Sequence, residues 1–406
     1  MSVTAVASRA RMPLVAYVMA AGTFLMATSE FVVAGLLPEL ARDFRIDVPS
    51  AGLAITAFAI GMVCSPVLVL TTLRLPRRTS LVAYLLLFAV GHLVAALSSA
   101  FWLLLAARFV TALATGAFWA QAGLVASDAA GDGSRSRALG LIQGGGMLAT
   151  VVGVPIGAVA GQLAGWRGPF WALVVLPLAA AVLVARLVPR EGALPEAGVL
   201  RRELVALRST RMWMVLLTCA FVTGGVLSVY SYISPLLTER TGLPDESVPV
   251  ALVVFGVAGL AGTIIGGALG DRHPYRTMIA DAVLTLVALV VLLAVADLPV
   301  PTFVVIGVLG FTGLSMNPIL AMLVMRYGGS APTLANGLTP AAFNLGTAIG
   351  TGVAGAALRG PLGDSAPVAV GVVAAAVVVL SCIAITVVRP RTAPVDPADP
   401  VCATAG

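Results

Sequence analysis

Residues 138–163 read ALGLIQGGGMLATVVGVPIGAVAGQL: 26 positions with no charge, glycines at 153, 157 and 161, and a proline at 155. At about 1.5 Å of rise per residue, such a helix crosses the ~30 Å hydrocarbon core of a bilayer. Glycine at every fourth position lines one stripe of the helix and lets a neighbouring backbone approach, while Pro155 removes one internal hydrogen bond and permits a kink. Eleven more windows share this length and polarity: Pro13–Leu37, Ala51–Leu73, Thr79–Leu97, Phe101–Ser127, Gly168–Leu187, Met212–Leu237, Val248–Leu269, Thr277–Ala296, Pro301–Met325, Asn336–Leu358 and Ala366–Val388.

The composition of the whole chain agrees. Of 406 residues, 59% are apolar and 10% charged, with a mean hydropathy of +1.04, whereas a soluble domain carries about 25% charged residues. Too little polar surface exists to cover a water-soluble fold, so most apolar side chains must face lipid or one another. The expected architecture is all-α and polytopic, with twelve transmembrane helices in two pseudo-symmetric six-helix bundles, 1–188 and 212–388. A cytoplasmic linker, 189–211, joins them, and a disordered cytoplasmic tail, 389–406, follows. The halves resemble each other at an offset of 198, which relates Gly61 to Gly259, Arg74 to Arg272 and Pro76 to Pro274. In later windows an offset of 193 relates Gly153 and Gly157 to Gly346 and Gly350. Weak internal symmetry of this kind marks transporters that rock about a central site.

All 24 basic residues are arginines. Without lysine there is no Walker A loop and no Schiff base, so ATP-driven pumping by this chain alone is excluded. No basic stripe interleaved with aromatics suggests nucleic acid. Neither the four cysteines nor the two histidines have metal-ligand spacing, and no hydrolytic triad is apparent, so neither an enzyme nor a cofactor is expected. With the N-terminus in the cytoplasm, 18 arginines fall on that side and five (42, 45, 167, 240, 359) outside. This bias predicts a multi-pass membrane protein with both termini in the cytoplasm.

Three charges lie inside windows and away from their last turns: Glu30 in the first, Arg108 in the fourth and Asp281 in the ninth. A charge at mid-bilayer costs at least ~2.5–3.5 kcal/mol, so each needs a partner or a task. Glu30 and Arg108 lie at similar depth. They are either a proton-coupling pair or a static ion pair locking two helices. Asp281, near the cytoplasmic end, reads as a helix cap or a partner of Arg276, with a coupling role as the lesser alternative. Met26 shares a helix face with Glu30, and Thr115 and Trp119 share one with Arg108, making an adaptable apolar wall. From the second half Tyr230, Asn317 and Asn344 are candidate substrate contacts, or else they satisfy backbone broken near Pro235, Pro318 and Pro340. His92 reads as a hydrogen-bond partner for a neighbouring helix.

The run Gly146-Met-Leu-Ala-Thr-Val-Val-Gly153-Val-Pro155-Ile-Gly157, continued by Gly161, resembles the antiporter signature of the major facilitator superfamily. Leu104-Leu-Ala-Ala-Arg108 through Gly116 is similar to its arginine-containing proton-transfer motif. Arg74-Leu-Pro-Arg77-Arg78 and Gly267-Ala-Leu-Gly-Asp271-Arg272-His-Pro-Tyr-Arg276 resemble its two cytoplasmic gating loops. Thr28-Ser-Glu30-Phe-Val-Val-Ala-Gly-Leu-Leu-Pro38, with Gly165-Trp-Arg-Gly-Pro-Phe-Trp171, resembles the twelve-span drug:proton antiporters and, within them, actinobacterial chloramphenicol exporters. Val69, Leu73 and Pro76 replace the usual Gly, Asp and Gly of the first gating loop, which implies a weaker charge latch there. Thr111 and Ala112 stand where the fourth helix commonly has Gln and Gly.

The resemblance implies a monomeric efflux transporter whose partners are protons, lipid and a neutral amphipathic drug such as chloramphenicol. A proton entering down ~150 mV releases about 3.5 kcal/mol, enough to hold a neutral solute at a gradient of roughly several hundredfold. The alternatives are a sugar or nucleoside exporter of the same fold and a non-transporting membrane scaffold.

Overall fold

The computed structural model describes residues 12–72, 75–130, 134–189, 209–328 and 332–387. Arg74, most of the linker and the C-terminal tail lie outside the described residues. Twelve helices are long and apolar enough to cross a membrane: α1 Leu14–Gly35, α2 Val48–Thr72, α3 Arg77–Leu97, α4 Phe101–Ala130, α5 Arg137–Ala164, α6 Arg167–Leu187, α7 Thr210–Ser231, α8 Ser247–Arg272, α9 Pro274–Val295, α10 Pro299–Gly328, α11 Leu338–Leu358 and α12 Gly363–Val387. No strand occurs among the described residues.

Polar and special residues set where these helices begin and stop. The Asp47 carboxylate accepts from Ser50 N at 3.1 Å to cap α2, and the Ser209 hydroxyl accepts from Met212 N at 3.3 Å to cap α7. Proline opens α9 and α10, where a missing N–H costs nothing. Gly165, at φ +78°, turns the chain between α5 and α6 in a conformation that only glycine adopts cheaply. Within α5 a π turn over Ala149–Gly153 immediately precedes Pro155, so the expected kink has a local cause. The first apolar window runs to Leu37, but the helix ends at Gly35. A separate surface helix, Leu37–Phe44, begins there, with a polar face that a search for long apolar runs overlooks.

Helices α1–α6 pack as one bundle and α7–α12 as the other. The glycine correspondences read from sequence are packing correspondences. Gly153 and Gly157 of α5 sit against Thr28 and Val32 of α1, and Gly161 against Leu36 just beyond its end, four-residue steps matching four-residue steps. In the second bundle Gly346 and Gly350 of α11 sit against the backbone of Ala220 and Gly224 in α7. Gly61 likewise presses α2 onto α4, where an added Cβ would lie 2.5 Å from the Phe109 carbonyl, and Gly259 presses α8 onto α10. Between bundles, α2 packs on α11 and α5 on α8; a Cβ on Gly256 of α8 would lie 2.5 Å from the Thr150 carbonyl.

Described bonds that cross between bundles gather in the half of the molecule away from the termini. Thr56 meets Thr351 at 2.9 Å, and Gln162 Nε2 donates to the Asp245 carbonyl at 2.7 Å. At the same end Arg359 donates to both Asp47 oxygens, at 2.8 and 3.0 Å, and to the Ser50 hydroxyl at 2.7 Å. Hydrogen bonds from Arg359 and then from Ser50 hold the Asp47 carboxyl well below the usual carboxylate range.

Candidate functional site

Where α1, α2, α7 and α11 converge, both bundles contribute to one cavity holding about 320 Å³ of empty space, its open mouth included. Glu30, Phe31 and Ala34 come from α1 and Ile55, Phe58 and Ala59 from α2; Leu227, Tyr230 and Ser231 come from α7 and Asn344 and Thr347 from α11. The wall is therefore largely apolar, with one acid and a few hydroxyl and amide groups, the usual chemistry of a small-molecule pocket. Aromatic rings join the halves. Phe31 meets Tyr230 edge-on at 6.0 Å between centroids, and Tyr230 meets Phe255 of α8 at 4.6 Å.

Arg108 is 1% exposed and lies behind Phe58, its guanidinium 4.2 Å from the ring centre. Its nitrogens reach backbone instead of a carboxylate. Nη1 donates to the Ser29 carbonyl at 2.9 Å and the Ser29 hydroxyl at 3.0 Å; Nε donates to Ala54 O at 3.3 Å and Nη2 to Glu30 O at 3.5 Å. Arg108 thus fastens α4 to α1 and α2 and fixes the backbone at Glu30. The Glu30 carboxylate is free to face the cavity. Among the described residues its carboxyl has no hydrogen bond and no close ion pair, and the Arg108 charge acts on it through space.

His92 extends the network. Its Nε2 lies 2.9 Å from Ser29 Oγ and its Nδ1 2.9 Å from Phe88 O. Because Phe88 O can only accept, Nδ1 carries the hydrogen and Nε2 accepts from the Ser29 hydroxyl, which leaves that oxygen's lone pairs to Arg108. The helix-to-helix bond expected of His92 is present. The serine at its centre escaped notice because nothing in an apolar helix marks one hydroxyl as a junction.

The remaining expected site residues separate into groups. Tyr230 and Asn344 line the cavity, and the Asn344 amide also donates to Pro340 O at 3.1 Å, so it serves the backbone as well. Met26 is fully buried in the first bundle, and the buried Thr115 hydroxyl donates to Thr111 O; neither lines the cavity. Trp119 packs over Gly146 of α5, and Asn317 stands at the break of α10, its buried amide oxygen without a hydrogen-bond partner among the described residues. Phe31, Ile55, Phe58, Ala59, Ser231 and Thr347 were not foreseen as lining. They are ordinary helix residues whose facing depends on how four helices rotate together.

At the termini-side ends, Arg77 pairs with Asp128 at 2.5 Å within the first bundle. Arg78 is half-buried, and Asp271, Arg272 and Arg276 are exposed. Asp281 corrects its reading as a cap or partner of Arg276. It lies inside α9, and its carboxyl is hydrogen-bonded to Ser315 of α10.

The Major Facilitator Superfamily model matches residues 19–328 and again 247–401. A chloramphenicol resistance protein of Streptomyces lividans is 36% identical over 389 residues, covering 95% of this chain and 99% of its own. A probable sugar efflux transporter of Helicobacter acinonychis is 30% identical over 339 residues, covering 83% and 85%. The crystal structure of a bacterial homologue of the human lysosomal transporter Spinster, inward-facing and unoccupied, superposes with a TM-score of 0.72 at 17% identity, covering 94% of this chain and 98% of that one. With twelve helices of membrane-crossing length and bacterial transporter relatives, the protein is a multi-pass inner-membrane transporter and not an enzyme. Family model, relatives and fold agree, and the chain belongs to the Major Facilitator Superfamily.

Proposed function

We propose that this transporter exports a neutral, hydroxylated aromatic drug, chloramphenicol, in exchange for protons, with Glu30 as the group that takes up and releases the proton. One observation carries the reading: a carboxyl without a hydrogen bond on the wall of an apolar cavity shared by both bundles, its backbone clamped by Arg108, whose charge acts on it through space. An acid so placed favours its neutral form when cargo or protein excludes water and its charged form when water enters. Cargo and proton then favour different states of one site, and each lowers the other's affinity, which is all that exchange requires.

The phenyl and aliphatic walls suit an aromatic ring, and Tyr230, Ser231, Asn344 and Thr347 supply the few hydrogen-bonding points that a phenicol's hydroxyls and amide need. The S. lividans relative's name supports the same cargo. The sugar efflux relative keeps a second reading in view, but a sugar needs denser polar contacts than this wall offers. On the arginine asymmetry we read both termini as cytoplasmic; the joined end then faces outward and the described conformation is closed to the outside. We read the transporting unit as a monomer, with the antiporter-motif glycines holding α5 on α1 and the termini-side arginines serving as its gate.

Inverted membrane vesicles energised with a proton gradient, supplied with labelled chloramphenicol, test the reading. Wild type accumulates the drug. Glu30→Gln, present in the membrane in equal amount, drops to the level of vesicles lacking the transporter. Undiminished export by that variant overturns the role of Glu30, and competition by sugars but not by phenicols overturns the cargo.

A further inference from the structure

The second bundle holds a carboxyl that the proposed exchange does not use. Asp281 is 8% exposed and borders a separate cavity of about 260 Å³, lined also by Phe221, Val222, Val226, Met316 and Val378. The Ser315 hydroxyl is hydrogen-bonded to one Asp281 oxygen, and the other oxygen, buried, has no partner among the described residues. The residues of α7, α10 and α12 that line this cavity are uncharged, and among the described residues no charged side chain acts on Asp281. The titratable neighbour is the buried Cys382 of α12.

Hydrogen counting then assigns the proton. Ser315 Oγ is within bonding distance of two oxygens that otherwise only accept, the Asp281 carboxylate and the Thr312 carbonyl at 3.2 Å. One hydroxyl carries one hydrogen and cannot satisfy both. If Asp281 is a carboxylic acid, it donates to Ser315 and Ser315 donates to Thr312, and every hydrogen has an acceptor. If Asp281 is ionised, one of these bonds is lost and a bare charge sits in an apolar cavity without a cation, the arrangement that proteins in lipid avoid.

We propose that Asp281 is a second proton-binding site, in the second bundle, occupied in this conformation and emptied when rearrangement of α7 lets water into its cavity. Helix α7 makes the link, since Val226 borders this cavity and Tyr230, one turn on, borders the cavity of Glu30. Four residues of helix span about 6 Å, so a tilt or rotation of α7 acts on both cavities together. No covalent step is involved: the proton passes to and from water.

Infrared difference spectra of the purified protein in lipid, recorded as pH is raised from neutral, test this without any cargo and so independently of the drug assignment. A protonated carboxylic acid gives a carbonyl stretch that a carboxylate lacks. Wild type shows such a band at neutral pH, Asp281→Asn removes it, Glu30→Gln retains it, and Ser315→Ala shifts its frequency while the helical amide bands stay unchanged. A neutral-pH spectrum whose acid band is the same in wild type and Asp281→Asn overturns the proposal, as does a band that Ser315→Ala leaves in place.

Discussion

The two bundles repeat one packing scheme and treat their intramembrane charges differently. In the first, Arg108 is enclosed by the carbonyls of Ser29, Glu30 and Ala54, the Ser29 hydroxyl and the face of Phe58, while Glu30 looks into the shared cavity. In the second, Asp281 has a serine and, among the described residues, no cation. Glycine stripes recur in both, α5 on α1 and α11 on α7. The backbone arrangement therefore belongs to the repeat, and the electrostatics belong to each half. A helix pair can be duplicated by keeping small residues on one stripe, but a buried guanidinium needs carbonyls, hydroxyl and ring placed around it by three helices at once.

The largest effect should come from emptying the first bundle's charged centre. Arg108→Ala strands buried acceptors on α1 and α2 and should lower stability by about 2–4 kcal/mol, with Arg108→Lys in between because a point charge cannot reach all four oxygens. Thermal denaturation in detergent measures it, and an unchanged midpoint for Arg108→Ala would show that the network does not hold α1, α2 and α4 together.

Next come the glycine stripes, which sharpen the comparison. A Cβ at Gly350 meets the backbone of Gly224, whereas one at Gly157 meets the tip of the Val32 side chain. Backbone cannot yield and a methyl can rotate, so Gly350→Ala should cost about 1–3 kcal/mol and Gly157→Ala less than about 1. Equal losses in the same assay would mean that the two stripes are mechanically alike.

The smallest effect belongs to the surface latch between the halves. Because the folded Asp47 carboxyl is depressed, its contribution is complete above the unfolded value of about 3.9 and fades only as pH falls through the folded one. The joined end should stay closed between pH 7 and 5, and Asp47→Asn should shift the open-to-closed ratio by less than about fivefold, since both side chains are roughly half exposed. Distances between spin labels on the 45–47 and 359–363 loops report it; opening on acidification to pH 5 would contradict the assignment.

Much of the fold was legible in the residues. Helix existence and number follow from apolar length alone, because lipid leaves a backbone segment no option but to satisfy itself. Boundaries were less legible where the chain leaves the bilayer, as at the surface helix Leu37–Phe44 and the π turn Leu236–Arg240 that follows α7. In the site, Glu30, Tyr230 and Asn344 were recognisable as polar groups in apolar windows. Met26 and Thr115 share helix stripes with the charges, yet they turn into the bundle interior. A stripe states which residues lie together, not which neighbour they meet.

By itself, the sequence determined that this chain lives in a bilayer, crosses it twelve times, repeats itself once and carries an acid and a base at similar depth, because hydropathy, length and spacing are properties of one strand of chain. Tertiary structure alone decided that Arg108 would grip the backbone beside Glu30 and leave its carboxylate free, and that Asp281 would find a serine and no arginine. Those outcomes depend on the rotation and approach of separate helices, which packing between distant segments sets.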